Sequence, residues 1–459
     1  MTRTPGEPAP RTFLDRLELR NFRQFGTIST SLERGLTVFV ARNGGGKTAL
    51  LDAIAIALGY FVDTFRDPTH QGFEKTDIRL VQTPEGQMVQ QPPVVLDASG
   101  EIEGRPLNWQ RKLETETGRT TYKEASELRD AAKALQRDLQ DYADGRSPTP
   151  PSLPVVAYYG TGRLWSTGRL TKGREEVATR FNHQVDAYAN CLKPESTYGD
   201  FVAWFEAVIR EAQNETTSGV PSPHRPRGLL EALRRATDRV LEPTGWGHLD
   251  WDFLAGEMVA KHPTQGRMSV SLLSDGIRNL IALVADLAHR SVRLNPHFAG
   301  RAPERTPGIV LIDEVDMHLH PGWQQGILAS LRAAFPLVQF IVTTHSPQLL
   351  STVDSKCIRI IEETPAGWTT RMPVHQTRGV TRSDVLSAVM EVDPIPDVPE
   401  WKTLRRYRGL IEDGLADGEE ALRLRAELER FYGTGHPVIL DCGRLIRFVA
   451  FKKKTAGDA

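Results

Sequence analysis

At 459 residues, with 39% hydrophobic and 25% charged positions, the chain is too long for one ordinary core and predicts two or three compact units, or one large head with insertions. Lysine plus arginine (57) nearly cancel aspartate plus glutamate (58). That balance gives no global sign of a nucleic-acid surface, although local basic faces stay open. Cys191, Cys357 and Cys442 stand far apart in no metal-ligand spacing and read as free thiols of a reducing compartment. The first residues lack a secretory apolar segment and no run of about 18 apolar residues stands out, so a cytoplasmic protein is expected.

In chain order, residues 1–11 read as a Pro-rich disordered leader. Phe13 to Leu19 alternates apolar and polar residues, the mark of a half-buried strand. Leu36-Thr37-Val38-Phe39-Val40 suits a strand buried on both faces. A glycine-rich turn and an apolar helical stretch, Ala49 to Tyr60, follow it. Residues 67–154 are polar and read as an inserted β lobe with a helical arm near Lys123 to Tyr142. Apolar texture returns at Val155 to Tyr159. Helical patterns at Tyr198 to Ala212 and Gly228 to Leu241 predict a helical subdomain. Gly308 to Ile312 and Val338 to Thr343 are buried strands around a helix near Trp323 to Ala334. A charged, mainly helical tail closes the chain and ends in Lys452-Lys453-Lys454.

Four segments carry chemistry. Ala41-Arg42-Asn43-Gly44-Gly45-Gly46-Lys47-Thr48, followed by Ala49, fits G-x-x-x-x-G-K-[ST] except for Ala at its first position. Glycines let consecutive N–H groups converge on phosphate oxygens, and the helix that follows presents its positive end. Lys47 is expected on the β- and γ-phosphates of ATP, with the Thr48 hydroxyl on Mg²⁺. Ala41 is harmless if its φ stays negative. The second segment, Gly308 to Glu314, is an apolar strand ending in two carboxylates. Asp313 suits the metal, and Glu314 suits the attacking water. In the third, His345 follows Val342-Thr343-Thr344 and is placed to contact the γ-phosphate. In the fourth, Ser274, Asp275 and Gly276 open a helix and form a second anion cradle. One phosphate loop already serves each chain, so the second cradle makes sense closed over the nucleotide of another copy.

In this order the four segments resemble the ABC-type ATPases of the chromosome-maintenance and DNA-repair branch, within the AAA ATPases. The resemblance makes Ala41 to Thr48 the Walker A motif, Ser271 to Arg278 the signature, Ile309 to Glu314 the Walker B and His345 the switch histidine. The opening Leu17 to Phe25 looks like that branch's first hairpin. The signature departs from LSGGQ, with Asp275 between Ser274 and Gly276. Tyr158 to Trp165, Asp316 to Pro321 and Thr344 to Gln348 narrow the resemblance to bacterial stand-alone ATPases. Those occur in Septu and retron anti-phage systems beside an HNH-type nuclease. Arg382 to Leu386 adds to it.

The resemblance implies an α/β fold: a P-loop head of the ABC type, with a mixed sheet flanked by helices, an antiparallel β lobe, a helical insertion and a mainly helical C-terminal tail. Residues 12–66 would open the head, 155–365 would complete it, and 366–459 would be a tail for partner interaction. ATP and Mg²⁺ are the implied cofactors, and a homodimer or higher oligomer through the ATP sites is the implied assembly. The family's glutamine loop is not identified; Arg163, in the Tyr158 to Arg163 loop after a strand, is a candidate nucleotide or interface contact, against a structural salt bridge. His318 and His320 beside Asp316 fall in a loop that crosses the dimer interface in the family. Some relatives carry a C-terminal toprim nuclease, but no Asp-x-Asp follows His345, so any nuclease belongs to another chain. The implied function is an ATP-driven switch regulating that nuclease. The alternatives are a DNA-repair or recombination ATPase binding duplex DNA and, less well matched, a transporter ATPase. Arg444, Arg447 and Lys452 to Lys454 read as a solvated basic end with possible contact to nucleic acid or an acidic partner.

Overall fold

The first strand keeps its alternation: β1 (Phe13–Phe22) turns Leu17 and Leu19 inward and Arg16 and Arg20 to solvent, and it pairs antiparallel with β2 (Phe25–Ser31). In β3 (Leu36–Val40) all five residues are buried, because helices or strands cover both faces of a parallel strand. The phosphate loop then leads into α1 (Lys47–Phe65), whose buried positions include Leu50, Leu51, Ile54, Leu58 and Phe61. By length and composition α1 could cross a membrane (mean hydropathy 1.5). Yet 72% of that apolar window is buried within the fold, as in a core helix. The computed structural model describes residues 11–65, 72–121, 123–163, 184–194, 198–218, 226–393, 395 and 397–457, apart from the side chains of 163, 198–200 and 453–457. Residues 1–10 of the expected leader, Leu164-Trp165, and the side chains of Arg163, Lys453 and Lys454 lie outside the described residues.

A short ribbon, β4 (Leu80–Gln82) with β5 (Met88–Gln90), precedes β6 (Val94–Ile102) and β7 (Arg105–Leu113). These last two do not form a lobe of their own. β6 pairs with β1, giving a four-stranded antiparallel sheet in the order β2-β1-β6-β7. The expected arm is α2 (Ser126–Ala143). This sheet grips α1 by its backbone. Trp109 Nε1 donates to Ala57 O (3.0 Å), the fully buried Arg111 donates to Ile56 O (2.9 Å), and Gln136 of α2 donates to Thr64 O (2.7 Å). Helical carbonyls keep a second lone pair for such bonds, each worth about 1 kcal/mol net.

Next come β8 (Val155–Tyr159), α3 (Tyr198–Ser218) and α4 (Pro226–Leu241). The strands β9 (Gly247–Asp252), β10 (Glu257–His262) and β11 (Gly266–Ser269) form a small antiparallel sheet that the sequence did not announce. Then follow α5 (Asp275–Leu294), β12 (Gly308–Ile312), α6 (Ile327–Ala334), β13 (Val338–Thr343), β14 (Ile358–Thr364), β15 (Gly367–Arg371) and α7 (Arg382–Ala388). The main sheet has the order β15-β14-β3-β13-β12-β8, parallel except for the edge strand β15. Gln339, the buried polar residue of β13, ties the two sheets. Its amide accepts from Leu14 N (2.8 Å) and donates to Leu14 O (2.7 Å) and Glu33 O (2.9 Å).

The tail expected from residue 366 begins later. β15 pairs along β14 and Trp368 packs on Phe25, so the first unit runs to Met390 and the second starts at Glu391. The second unit is α8 (Pro399–Glu412), α9 (Glu419–Tyr432) and α10 (Pro437–Gly457) around Leu404, Tyr407, Ile411, Leu428 and Ile439.

His289 of α5 is buried, with its ring 4.2 Å from that of Trp204. Burial first, then Arg293 and Arg290, holds its imidazole well below the usual range. Below about pH 6.5 the unfolded chain therefore binds a proton that the folded chain refuses, and stability must fall as the pH drops. Thermal melts between pH 7.5 and 5.5 should show this loss, and His289→Leu should flatten the slope by up to about one proton. Equal slopes in both proteins would mean that His289 titrates freely.

Candidate active site

The loop after β3 is built for close approach. Gly44 and Gly46 have φ of 75° and 85°, whereas Ala41 is not among the positive-φ residues, so the alanine costs nothing there. A Cβ on Gly46 would run into the Gln24 amide and the Phe25 ring, so the β1–β2 turn sits against the loop. Arg42, Asn43 and Gly44 are exposed at the tip, and Gly45, Lys47 and Ala49 are buried. The Lys47 ammonium donates to Ala41 O at 3.1 Å. Burial lowers its pKa, and Asp313, Glu314 and Asp316 pull it back up.

The Walker-type residues meet directly. The Thr48 hydroxyl donates to Asp313 Oδ2 at 2.8 Å, and Thr343 donates to Asp313 Oδ1 at 2.6 Å. Asp313 is 2% exposed, so these bonds supply what water cannot. The same Thr343 hydroxyl accepts from the Glu314 N–H at 2.7 Å. Glu314 has φ 46° and His318 has φ 61°, a left-handed backbone that costs about 1–3 kcal/mol per residue. The loop is braced from beyond it. Thr344 donates to Asp316 Oδ1 at 2.5 Å, and Gln324 donates to Leu319 O at 3.0 Å. Burial pushes the Asp316 carboxyl up, and the Thr344 bond opposes this. His345 stands in the field of Lys47 and these acids. Burial lowers its pKa and Lys47 lowers it further, which favours the neutral imidazole with one donor and one acceptor nitrogen.

The second cradle is a separate patch. Ser274 caps α5 with an extended backbone, is exposed, and makes no capping bond through its hydroxyl. The Asp275 carboxylate is ion-paired with Arg278. A Cβ on Gly276 would strike the His318 carbonyl, so the start of α5 packs on the loop that follows Glu314. None of the hydrogen bonds among the described residues joins Ser274, Asp275 or Gly276 to the Lys47 cluster. His320 accepts from Gly322 N at 3.2 Å and caps the next turn. The Arg163 side chain lies outside the described residues.

With this geometry in hand, two family models match the chain. One is described as an AAA domain and covers residues 16–213; the other is described as an AAA domain, putative AbiEii toxin, Type IV TA system, and covers residues 256–351. The chain is 27% identical over 450 residues to the Retron Vc95 probable ATPase of Vibrio cholerae, covering 88% of this chain and 84% of that protein. It is 26% identical over 480 residues to the Retron Ec83 probable ATPase of Escherichia coli, covering 93% and 85%. The chain is an ATPase with two AAA-domain regions, similar to retron ATPases over most of its length. This ATPase is also 39% identical over 171 residues to the Septu protein PtuA of Bacillus mycoides, covering 36% of this chain and 23% of that protein.

The segments that contain Thr343, Asp316 and Gln24 are visible in the sequence of the ATPase, but the contacts of these three side chains are not. Thr343 shows in the sequence only as the last residue of an apolar strand; its meeting with Asp313 depends on the pairing of β13 with β12. Thr343→Val keeps the branched shape of the strand and leaves the Glu314 N–H and Asp313 Oδ1 each short of a bond. ATP turnover should fall about tenfold with ATP affinity within about twofold. Steady-state kinetics beside equilibrium nucleotide binding measures both, and wild-type turnover would show that the hydroxyl is dispensable.

Proposed function

We propose that this ATPase closes ATP between two copies, with Lys47 of one facing Ser274 and Gly276 of the other, and that the closed state regulates a partner nuclease in anti-phage defence. The observation that carries the reading is the Thr48–Asp313 hydrogen bond. The two groups whose chemistry suits one divalent cation already touch, beside a buried lysine. The donor set fits Mg²⁺: a hydroxyl and a carboxylate oxygen, both hard ligands. When bound, Mg²⁺ would supply positive charge to the β- and γ-phosphates. The loop N–H groups and Lys47 bind and orient the phosphates. Glu314, held by Thr343 through its own N–H, orients the attacking water and accepts its proton. Neutral His345 donates to the γ-phosphate and senses its loss. The exposed Ser274 hydroxyl, unused by its own helix, supports a role toward a second copy.

The similarity to retron and Septu proteins supports the defence setting. The three-helix unit after Glu391 is the proposed contact for the nuclease, and the cytoplasm is the proposed setting. Two substitutions test the reading. Lys47→Ala should abolish ATP binding by titration calorimetry, and retained turnover would mean that the loop is misread. Glu314→Gln should run as a dimer on size exclusion with ATP, and a single-copy peak under saturating ATP would end the composite-site reading. Salt-dependent binding of duplex DNA by the isolated chain would favour a repair ATPase instead.

A further inference from the structure

Tyr158 and Tyr159 close β8, the strand that pairs with β12. Adjacent residues of a strand point to opposite faces, and here each face offers a carboxylate. Tyr158 OH donates to Asp52 Oδ1 of α1 at 2.8 Å. The other Asp52 oxygen takes Arg23 Nη1 at 2.6 Å, and Arg23 Nε reaches Asp77 at 2.9 Å. Tyr159 OH donates to Asp286 Oδ2 of α5 at 2.8 Å. Asp286 also takes Arg290 Nε at 2.8 Å, and Arg290 Nη1 reaches Ala187 O at 2.6 Å and Ala189 O at 3.1 Å. Both rings are 3% exposed, and Asp286 and Arg290 are 4% and 7% exposed. Burial pushes both phenols up, so they remain donors. The Tyr159 carbonyl also accepts the Asp313 N–H at 2.8 Å.

One dipeptide thus holds the helix that begins at Lys47, the helix that begins beside Ser274, and the backbone of Asp313. A tyrosine has two rotatable side-chain bonds and a rigid ring, so a bond at its tip behaves as a strut. We propose that Tyr158 and Tyr159 are positioning residues, which set the phosphate-loop helix and the signature helix at a fixed relative height about Asp313. Capture of ATP by one copy then presents Ser274 correctly to the other. This rests on the two-copy reading above and names the internal linkage that such a site needs. Because the two struts act in series, losing either one frees α5 as much as losing both. The phosphate loop itself keeps every group that binds ATP.

The test uses the full chain. Phosphate release gives kcat, and equilibrium titration with a fluorescent ATP analogue gives affinity. Tyr159→Phe should leave affinity within about twofold and lower kcat about tenfold, the loss expected when a catalytic group is displaced by less than about 1 Å. Tyr158→Phe should do the same, and the double variant should be no slower than the worse single one. Wild-type kcat in either single variant, affinity lost in step with kcat, or losses that multiply in the double variant would overturn the proposal. Should Tyr159→Phe fail to fold, Tyr158→Phe carries the test, because Asp52 keeps Arg23: unchanged kcat there refutes the strut. Failure of the two-copy reading shows elsewhere, as Glu314→Gln that stays a single copy with ATP.

Discussion

A buried carboxylate with too few partners is among the most expensive things a fold can hold. Asp313 is a buried carboxylate, and the molecule is arranged to satisfy it. One oxygen is met by Thr48 from the phosphate loop and the other by Thr343 from the neighbouring strand. Its own N–H goes to Tyr159. Strands β8, β12 and β13 and helix α1 must therefore arrive together at one end of the sheet, where the order is β3-β13-β12-β8. The parallel register makes this possible, since all these strands deliver their C-terminal ends to one edge.

The same economy explains the strained loop. Glu314 and His318 keep left-handed backbones because both neighbours of the loop leave no alternative. Thr343 fixes the N–H of Glu314, and the His318 carbonyl is pressed onto Gly276. Relaxing either residue would move the carboxylate or the start of α5. Strain stored between Glu314 and the start of α5 is strain that links them. On the far side, the grip of Trp109 and Arg111 on mid-helix carbonyls holds α1 against the antiparallel sheet, so that the phosphate loop is not left to its own stiffness.

Contiguous chemistry was legible in the sequence, and chemistry assembled across the chain was not. The loop from Arg42 to Thr48, the acid pair and His345 each show in a few adjacent residues. The fold brings Thr48 onto Asp313 and sets His345 in the field of Lys47. Gln339 in β13 reads only as a blemish in an apolar strand until Leu14 is seen opposite it. Tyr159 and Asp286 are likewise unrelated on paper. The strands β9, β10 and β11 are only six, six and four residues long, and β15 looks like the start of a tail because it lies on an edge. The helix α1 reads in the sequence as an apolar stretch from Ala49 to Tyr60 and runs on to Phe65, with Asp52, Asp63 and its glycine diluting it. Its burial shows that packing, rather than hydropathy, decides what such a helix is for.

The strand order has a temporal consequence. β3 lies between β13 and β14, so the first nucleotide-binding segment to leave the ribosome waits for partners that emerge only near the end of the first unit. Until then β3 is an exposed apolar strand with no sheet to join, the kind of long-range pairing that folds slowly and invites aggregation. A nascent chain truncated before β13 would carry an intact phosphate loop with no buried acid beside it and no Thr343 to hold that acid. Synthesis itself thus withholds the machinery until the polypeptide can complete it.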